Sequence, residues 1–139
     1  MIATHPHEDH VGGLAAALNA CSVDRLLTPV LEYDTKAFHS MMKYAEKQGT
    51  IIKIQSVGDS FMIGSARVDI LGPLRFNKYN NDKSIVCRIS HGENTFLFGC
   101  DIEWTSEHDL VDSGVDLSAD VLKINHHGSD TSTTIPLFN

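Results

Sequence analysis

The sequence predicts a mixed α/β fold with sheets packed between helices. Three observations lead to it. Short apolar segments of strand length alternate with amphipathic segments of helix length. Several neighbouring strand-like segments are joined by short turns containing glycine, as hairpins are. Clusters of histidine and aspartate follow directly on the ends of strand-like segments, where a rigid scaffold presents a site.

The elements read in order as follows. Ile2-Ala3 ends a strand, and Val11 to Asn19 is a helix. Asp24 to Val30 is a short strand. Asp34 to Gln48 is a helix with Asp34 as its N-cap and Gly49 as its stop. Thr50 to Ile54 is rich in β-formers. Ser60 to Ile63 and Ala66 to Leu71 alternate in polarity around Gly64-Ser65 and form a hairpin, which Gly72-Pro73 ends. Leu74 to Asp82 is a polar loop carrying Asn77, Asn80 and Asn81. Ser84 to Ser90 and Thr95 to Phe98 form a second hairpin around Gly92-Glu93-Asn94. Glu103 to Val111 is a short helix, and Val121 to Ile124 is a buried strand.

A chain of 139 residues with 42% apolar content supports one domain, 1–139, with a real core. No apolar run approaches the ~20 residues of a membrane helix. Three cysteines, Cys21, Cys87 and Cys100, are odd in number and widely spaced, which speaks against a disulfide framework and a zinc knuckle. The net charge of −7 shows no basic stripe of the kind that holds a long nucleic acid. Lys36, Lys43 and Lys47 make one helix face, and the other cations are scattered.

The densest chemistry is Thr4-His5-Pro6-His7-Glu8-Asp9-His10. Pro6 disfavours helix around it, and in an extended chain residues i and i+2 point the same way. His5 and His7 can therefore reach one metal ion. Asp9 and His10 follow where the chain turns toward Gly12-Gly13, and they suit a second ion. Imidazole plus carboxylate is a donor set for zinc, manganese or iron. A competing reading makes Asp9 only the cap of the helix that follows. A second cluster, His126-His127-Gly128-Ser129, lies near the other end. Between the two, Asp101 follows the apolar run Phe96-Leu97-Phe98-Gly99-Cys100. Five of the eight histidines thus fall in two short stretches, as a two-metal hydrolytic site spread along a chain requires. Either His126 or His127 completes the second ion's ligands. His126 is preferred because it leaves the strand first. His39, His91 and His108 are poorly placed as ligands. Cys100 is a soft donor in principle, although a small buried strand end accounts for it as well. Glu8 and Asp82 read as structural or solvated.

His5-x-His7-x-Asp9-His10 resembles the signature of the metallo-β-lactamase superfamily. Asn81-Asp82-Lys83-Ser84, Thr95 to Asp101, and Ala119 to Ser129 with Thr131-Ser132 extend the likeness. Together they are similar to the hydrolase domain of the ComEC-type competence proteins and their stand-alone relatives. The likeness runs from Met1 to about Thr134. It implies an αββα sandwich, metallo-β-lactamase-like and here partial, with strands expected before Met1 and further elements after Asn139. It implies two divalent metal ions, zinc or manganese, with Asp101 bridging them. Asp9 and Asp101 are then the catalytic carboxylates, and the metal ligands are drawn from His5, His7, Asp9, His10, Asp101, His126 and His127. This branch tends to lack the superfamily's further histidine for the first ion, as this chain does. Cys100 stands where glycine is usual. Ser129, Thr131 and Ser132 either hydrogen-bond a phosphate oxygen or shape the turn.

The function implied is water activation for hydrolysis, most directly of phosphodiester bonds in DNA or a small phosphodiester. The alternatives are a hydrolase of a small ester, lactone or lactam, since a fold does not set its substrate, and a non-catalytic metal-binding fragment. A role in DNA uptake would place the parent protein outside the cytoplasmic membrane or attached to it.

Overall fold

The structure is a computed structural model that describes residues 1–75 and 79–138. The chain divides into two compact units, 1–55 and 56–139. Helices and strands mix in the order expected of an α/β chain.

In the first unit, Ile2 makes a single parallel bridge to Leu27. The Ala3 N–H donates to the Leu27 carbonyl at 2.8 Å. Helix α1 spans Glu8–Val11 and α2 spans Leu14–Ala20. Strand β1 spans Arg25–Thr28, α3 spans Lys36–Lys47 and β2 spans Ile51–Ile54. β1 and β2 pair in parallel from Arg25 opposite Ile51 to Thr28 opposite Ile54. Parallel neighbours need a crossover, and α3 supplies it. Its buried Phe38, Met41 and Ala45 recur at helical spacing and pack with Ala3, Val11, Leu18 and Leu26.

Two expectations are corrected here. The helix placed at Val11 to Asn19 is two helices, and the first starts three residues earlier, at Glu8. The break falls at Gly12-Gly13, and a Cβ on Gly12 would lie 2.6 Å from the Glu8 carbonyl oxygen. Asp9 therefore sits inside a helical turn and does not cap the helix, for His7 occupies the N-cap. The cap of α3 is Thr35, not Asp34. The Thr35 hydroxyl accepts from the Phe38 N–H at 3.3 Å, the N3 position such a side chain reaches. Gly49 does end the helix, at φ 75°.

In the second unit, β3 (Ser60–Ile63), β4 (Ala66–Gly72), β5 (Val86–His91), β6 (Asn94–Phe98) and β7 (Val121–Lys123) form one sheet in that order. The first three pairings are antiparallel hairpin or meander contacts. Both expected hairpins are present, with Gly64 and Gly92 in the left-handed region at their turns. β7 pairs with β6 in parallel, and α4 (Trp104–Asp112) lies in the connection between them. Leu71, Val86, Leu97, Ile102 and Leu110 make the core.

β7 is shorter and more open than the buried strand expected at Val121 to Ile124. It is an edge strand with β6 as its neighbour, and Val121 and Ile124 stay 49% and 45% exposed. Leu122 alone turns to the core, as strand alternation dictates. The polar loop after Gly72-Pro73 contains a short 3₁₀ turn, Asn81–Lys83. Asn77 of that loop lies outside the described residues.

Candidate metal centre

The first unit gathers three imidazoles. His5, wholly buried, follows the Ile2 bridge, and His7 is extended at φ −66° and ψ 150°. The α1 turn then brings His10 back, so the His5 ring centroid lies 4.0 Å from that of His10 and 4.9 Å from that of His7. The carboxylate of Asp9 stands 3.4 Å from His10 Nε2. Thr4 Oγ1 lies 3.5 Å from Nδ1 of both His5 and His10. A hydroxyl there can orient both rings by their Nδ1 edges. Thr4 had no assigned role on sequence grounds, because nothing local shows that its hydroxyl meets a ring six residues on.

The second unit gathers Asp101, His126 and His127. β6 ends at Phe98, and the chain turns at Cys100, whose φ is 56°. Asp101 is 2% exposed. The Asn81-Asp82-Lys83-Ser84 segment brackets this turn. Ser84 Oγ accepts from the Asp101 N–H at 3.3 Å, and Asp82 Oδ1 accepts from the Glu103 N–H at 3.1 Å. Asn81 Nδ2 donates to Glu103 Oε1 at 2.9 Å. The structural reading of Asp82 agrees with its burial.

β7 delivers the histidine pair into an unusual turn. His126, His127 and Gly128 have φ of 46°, 54° and 83° in succession. Non-glycine residues adopt that region at a cost, and they do so most often where function holds them. The turn separates the two rings. His127 Nε2 lies 3.2 Å from Asp101 Oδ2. His126 Nδ1 instead faces Thr131 Oγ1 at 3.3 Å and Glu103 Oε1 at 3.5 Å.

The three hydroxyls after the pair divide as well. Thr131 is exposed and Ser129 half-buried, and Ser129 Oγ and Thr131 Oγ1 bond each other at 2.9 Å. Ser132 is buried and donates to the Asn125 carbonyl at 3.0 Å. Cys100 donates its thiol to the Ile85 carbonyl at 3.4 Å, the behaviour of a packed strand end. Of the outlying histidines, His39 is exposed on α3 and His91 Nε2 meets Ser65 Oγ across the hairpin at 2.9 Å. His108 stands edge-on to the Trp104 ring on α4.

Two buried residues behind the pair had no assigned role on sequence grounds. Glu107 and Asn125 are both 0% exposed, and Asn125 Nδ2 donates to Glu107 Oε1 at 2.7 Å. The signal was faint: Glu107 stands three residues before Leu110, on the apolar side of α4. Each unit thus carries imidazole and carboxylate donors beside one another, which is a donor set for divalent ions such as zinc or manganese.

The profile of the family described as the metallo-beta-lactamase superfamily matches residues 1–136. The chain belongs to the metallo-beta-lactamase superfamily. It is 28% identical over 134 residues to "ComE operon protein 3" of Bacillus subtilis (strain 168), a match covering 96% of this chain and 17% of that protein. It is 27% identical over 135 residues to "Recombination protein 2" of Haemophilus influenzae, covering 96% of this chain and 15% of that protein. The chain therefore spans less than a fifth of the length of these curated relatives. Among solved structures, it is similar to the metallo-beta-lactamase fold protein YhfI from Bacillus subtilis. The TM-score is 0.51 at 15% identity, over 87% of this chain and 47% of that one. At that identity the likeness concerns the fold, and it agrees with the superfamily's architecture expected from the motifs. No helix among the described residues is long and apolar enough to cross a membrane.

Proposed function

We propose that this superfamily member is a metal-dependent hydrolase that cleaves phosphodiester bonds through a dinuclear centre. The observation that carries the reading is the pairing of His127 Nε2 with Asp101 Oδ2 at 3.2 Å, on two separate strand ends. A carboxylate and an imidazole held together at strand ends suit a shared cation. The family match runs through both ligand groups. On that ground the candidate ligands are His5, His7, Asp9 and His10 in the first unit and Asp101 and His127 in the second.

His127 takes the ligand role in preference to His126, whose ring is engaged by Glu103 and Thr131. When bound, two divalent ions supply acidity to water and positive charge against the phosphoryl oxygens. The chain's own residues orient the donors. Thr4 holds the rings of His5 and His10, and Ser84 and Asp82 hold the turn of Asp101. Thr131, exposed, and Ser129, half-buried, follow the pair and can offer hydroxyls to a phosphate oxygen.

The substrate class rests on the relatives. One is named for the ComE operon and one for recombination, a process whose material is DNA. The net charge of −7 argues for contact with a short stretch or a small phosphodiester over tight binding of a long duplex. The same charge leaves a small ester, lactone or lactam as the second reading.

The test is metal content per chain by elemental analysis after loading with manganese or zinc and dialysis, followed by a bis-aryl phosphodiester assay. Two ions and turnover support the proposal. No retained metal counts against the centre, and turnover of a lactone or cephalosporin alone transfers the enzyme to the second reading.

A further inference from the structure

The carboxylate of Glu107 is a buried, heavily bonded group in the second unit that the proposed chemistry does not touch. Oε1 accepts from Asn125 Nδ2 at 2.7 Å and from the Thr133 N–H at 2.5 Å, and Oε2 accepts from the Thr134 N–H at 2.8 Å. The group is wholly buried. A carboxylate out of water needs several donors to be tolerated, and three are supplied here. All three come from the segment that carries the histidine pair. Asn125 adjoins His126 directly, and Thr133 and Thr134 close the same loop from its far side.

The loop needs such a clamp. Its turn holds three successive residues at positive φ, and Thr133 adds another at 58°. Strained backbone persists only where its surroundings over-determine it. Asn125 is over-determined. Its N–H donates to Thr133 Oγ1 at 3.0 Å, its carbonyl accepts from Ser132, and its amide group packs against Gly99, where a Cβ would lie 2.3 Å from Oδ1. Glu107 thus joins the end of β6, the loop and α4 through one side chain.

We infer that Glu107 is a positioning residue for this turn: through Asn125, Thr133 and Thr134 it sets the backbone from which His127 meets Asp101. The inference rests on reading those two residues as metal ligands. Outer groups that orient a ligand typically change metal affinity roughly 10–100-fold when altered.

Glu107→Gln tests it. Glutamine keeps the shape but offers one acceptor oxygen and places an N–H₂ against a donor. Amide hydrogen exchange on the metal-free chain is expected to quicken by about tenfold or more at His126, Gly128 and Ser129, with the β3–β4 hairpin unchanged. Manganese affinity is expected to fall roughly 10–100-fold, and the visible spectrum of the cobalt-loaded chain to shift. If Glu107→Gln does not fold, Asn125→Ala replaces it, since it removes the Nδ2 donor and leaves both threonine bonds. Selective exchange at the turn in a parent chain that binds no metal would uphold the positioning and sink the metal reading. Exchange that is unchanged, or faster everywhere alike, overturns the inference. So does a loosened turn with undiminished metal affinity.

Discussion

The His126 N–H donates to the Cys100 carbonyl oxygen at 2.8 Å, and both residues lie in the left-handed region, at φ 46° and 56°. One backbone bond therefore locks together the turn that presents Asp101 and the turn that presents His127. The 3.2 Å approach of their side chains follows from that lock and from the parallel pairing of β6 with β7.

Cys100 occupies a conformation that costs an L-residue about 1–2 kcal/mol and glycine nothing comparable. Cys100→Gly is expected to leave stability within about 1 kcal/mol of the parent, the relief of strain offsetting the lost side chain. Cys100→Val, β-branched at positive φ, is expected to destabilise by more than about 2 kcal/mol. Urea denaturation of the three chains checks this, and a valine variant as stable as the parent would refute the strain argument.

Gly99 is required for close approach. A Cβ there would lie 2.3 Å from Asn125 Oδ1 and 2.8 Å from Nδ2. Gly99→Ala is expected to cost about 1–3 kcal/mol, as overpacking does. It should also weaken metal binding, because Asn125 cannot retreat without moving His126. Thermal unfolding and metal titration on the same sample separate the two effects.

The pair of histidines should divide in metal binding. His127→Ala is expected to lower retained metal by about one ion per chain, whereas His126→Ala should keep both ions and bind them roughly 10–100-fold more weakly at most. Asp101→Asn should abolish hydrolysis and weaken both sites. His39→Ala, on the exposed face of α3, should change neither. Equal losses from His126→Ala and His127→Ala would remove the distinction drawn from their partners.

Burial pushes the Cys87 thiol up to about 12, with the neighbouring Cys100 adding to the shift. At pH 8 the exposed Cys21 is expected to react with a thiol reagent and Cys87 to stay protected until the chain unfolds. The sign of the linkage is set by the raised value. The folded chain keeps a proton that the unfolded chain releases near pH 8.5–9, about the ordinary thiol range. The contribution of Cys87 to stability is therefore complete below that range and declines as pH rises toward 12. Urea midpoints at pH 7 and pH 10 should fall for the parent, and fall less for Cys87→Ala.

On the acidic side, two loop carboxylates have lowered pKa values. Asp116 is held well below the usual carboxylate range by hydrogen bonds from Ser118 and Arg88, and Asp120 is lowered by bonds from Thr95. Both are exposed, so solvent screens their contribution. Lowered values stabilise above the ordinary carboxylate range, and the effect is lost as pH falls below about 4. Asp120→Asn should flatten the acid limb of a stability–pH curve, and an unchanged limb would count against that bond.

Much of this was legible because it is local. Alternation of polarity marked both hairpins, helical spacing marked α3, and His5-x-His7-x-Asp9-His10 marked a candidate ligand cluster through residue type and spacing alone. What misled was also local. Gly12-Gly13 looked like a tolerable start to a helix and proved a break, and Asp34 outranked Thr35 as a cap by rank rather than by reach. The residues that hold the candidate ligands were hidden for a different reason. Thr4 acts on a ring six residues away, Ser84 on an amide seventeen residues on, and Glu107 on a loop eighteen to twenty-seven residues on. Sequence alone determined which residues have the chemistry to bind metal and which family carries them. Tertiary structure alone decided that His127 and not His126 faces Asp101, because that choice depends on three left-handed residues and a buried carboxylate, and backbone strain held by distant partners leaves no periodic trace along a chain.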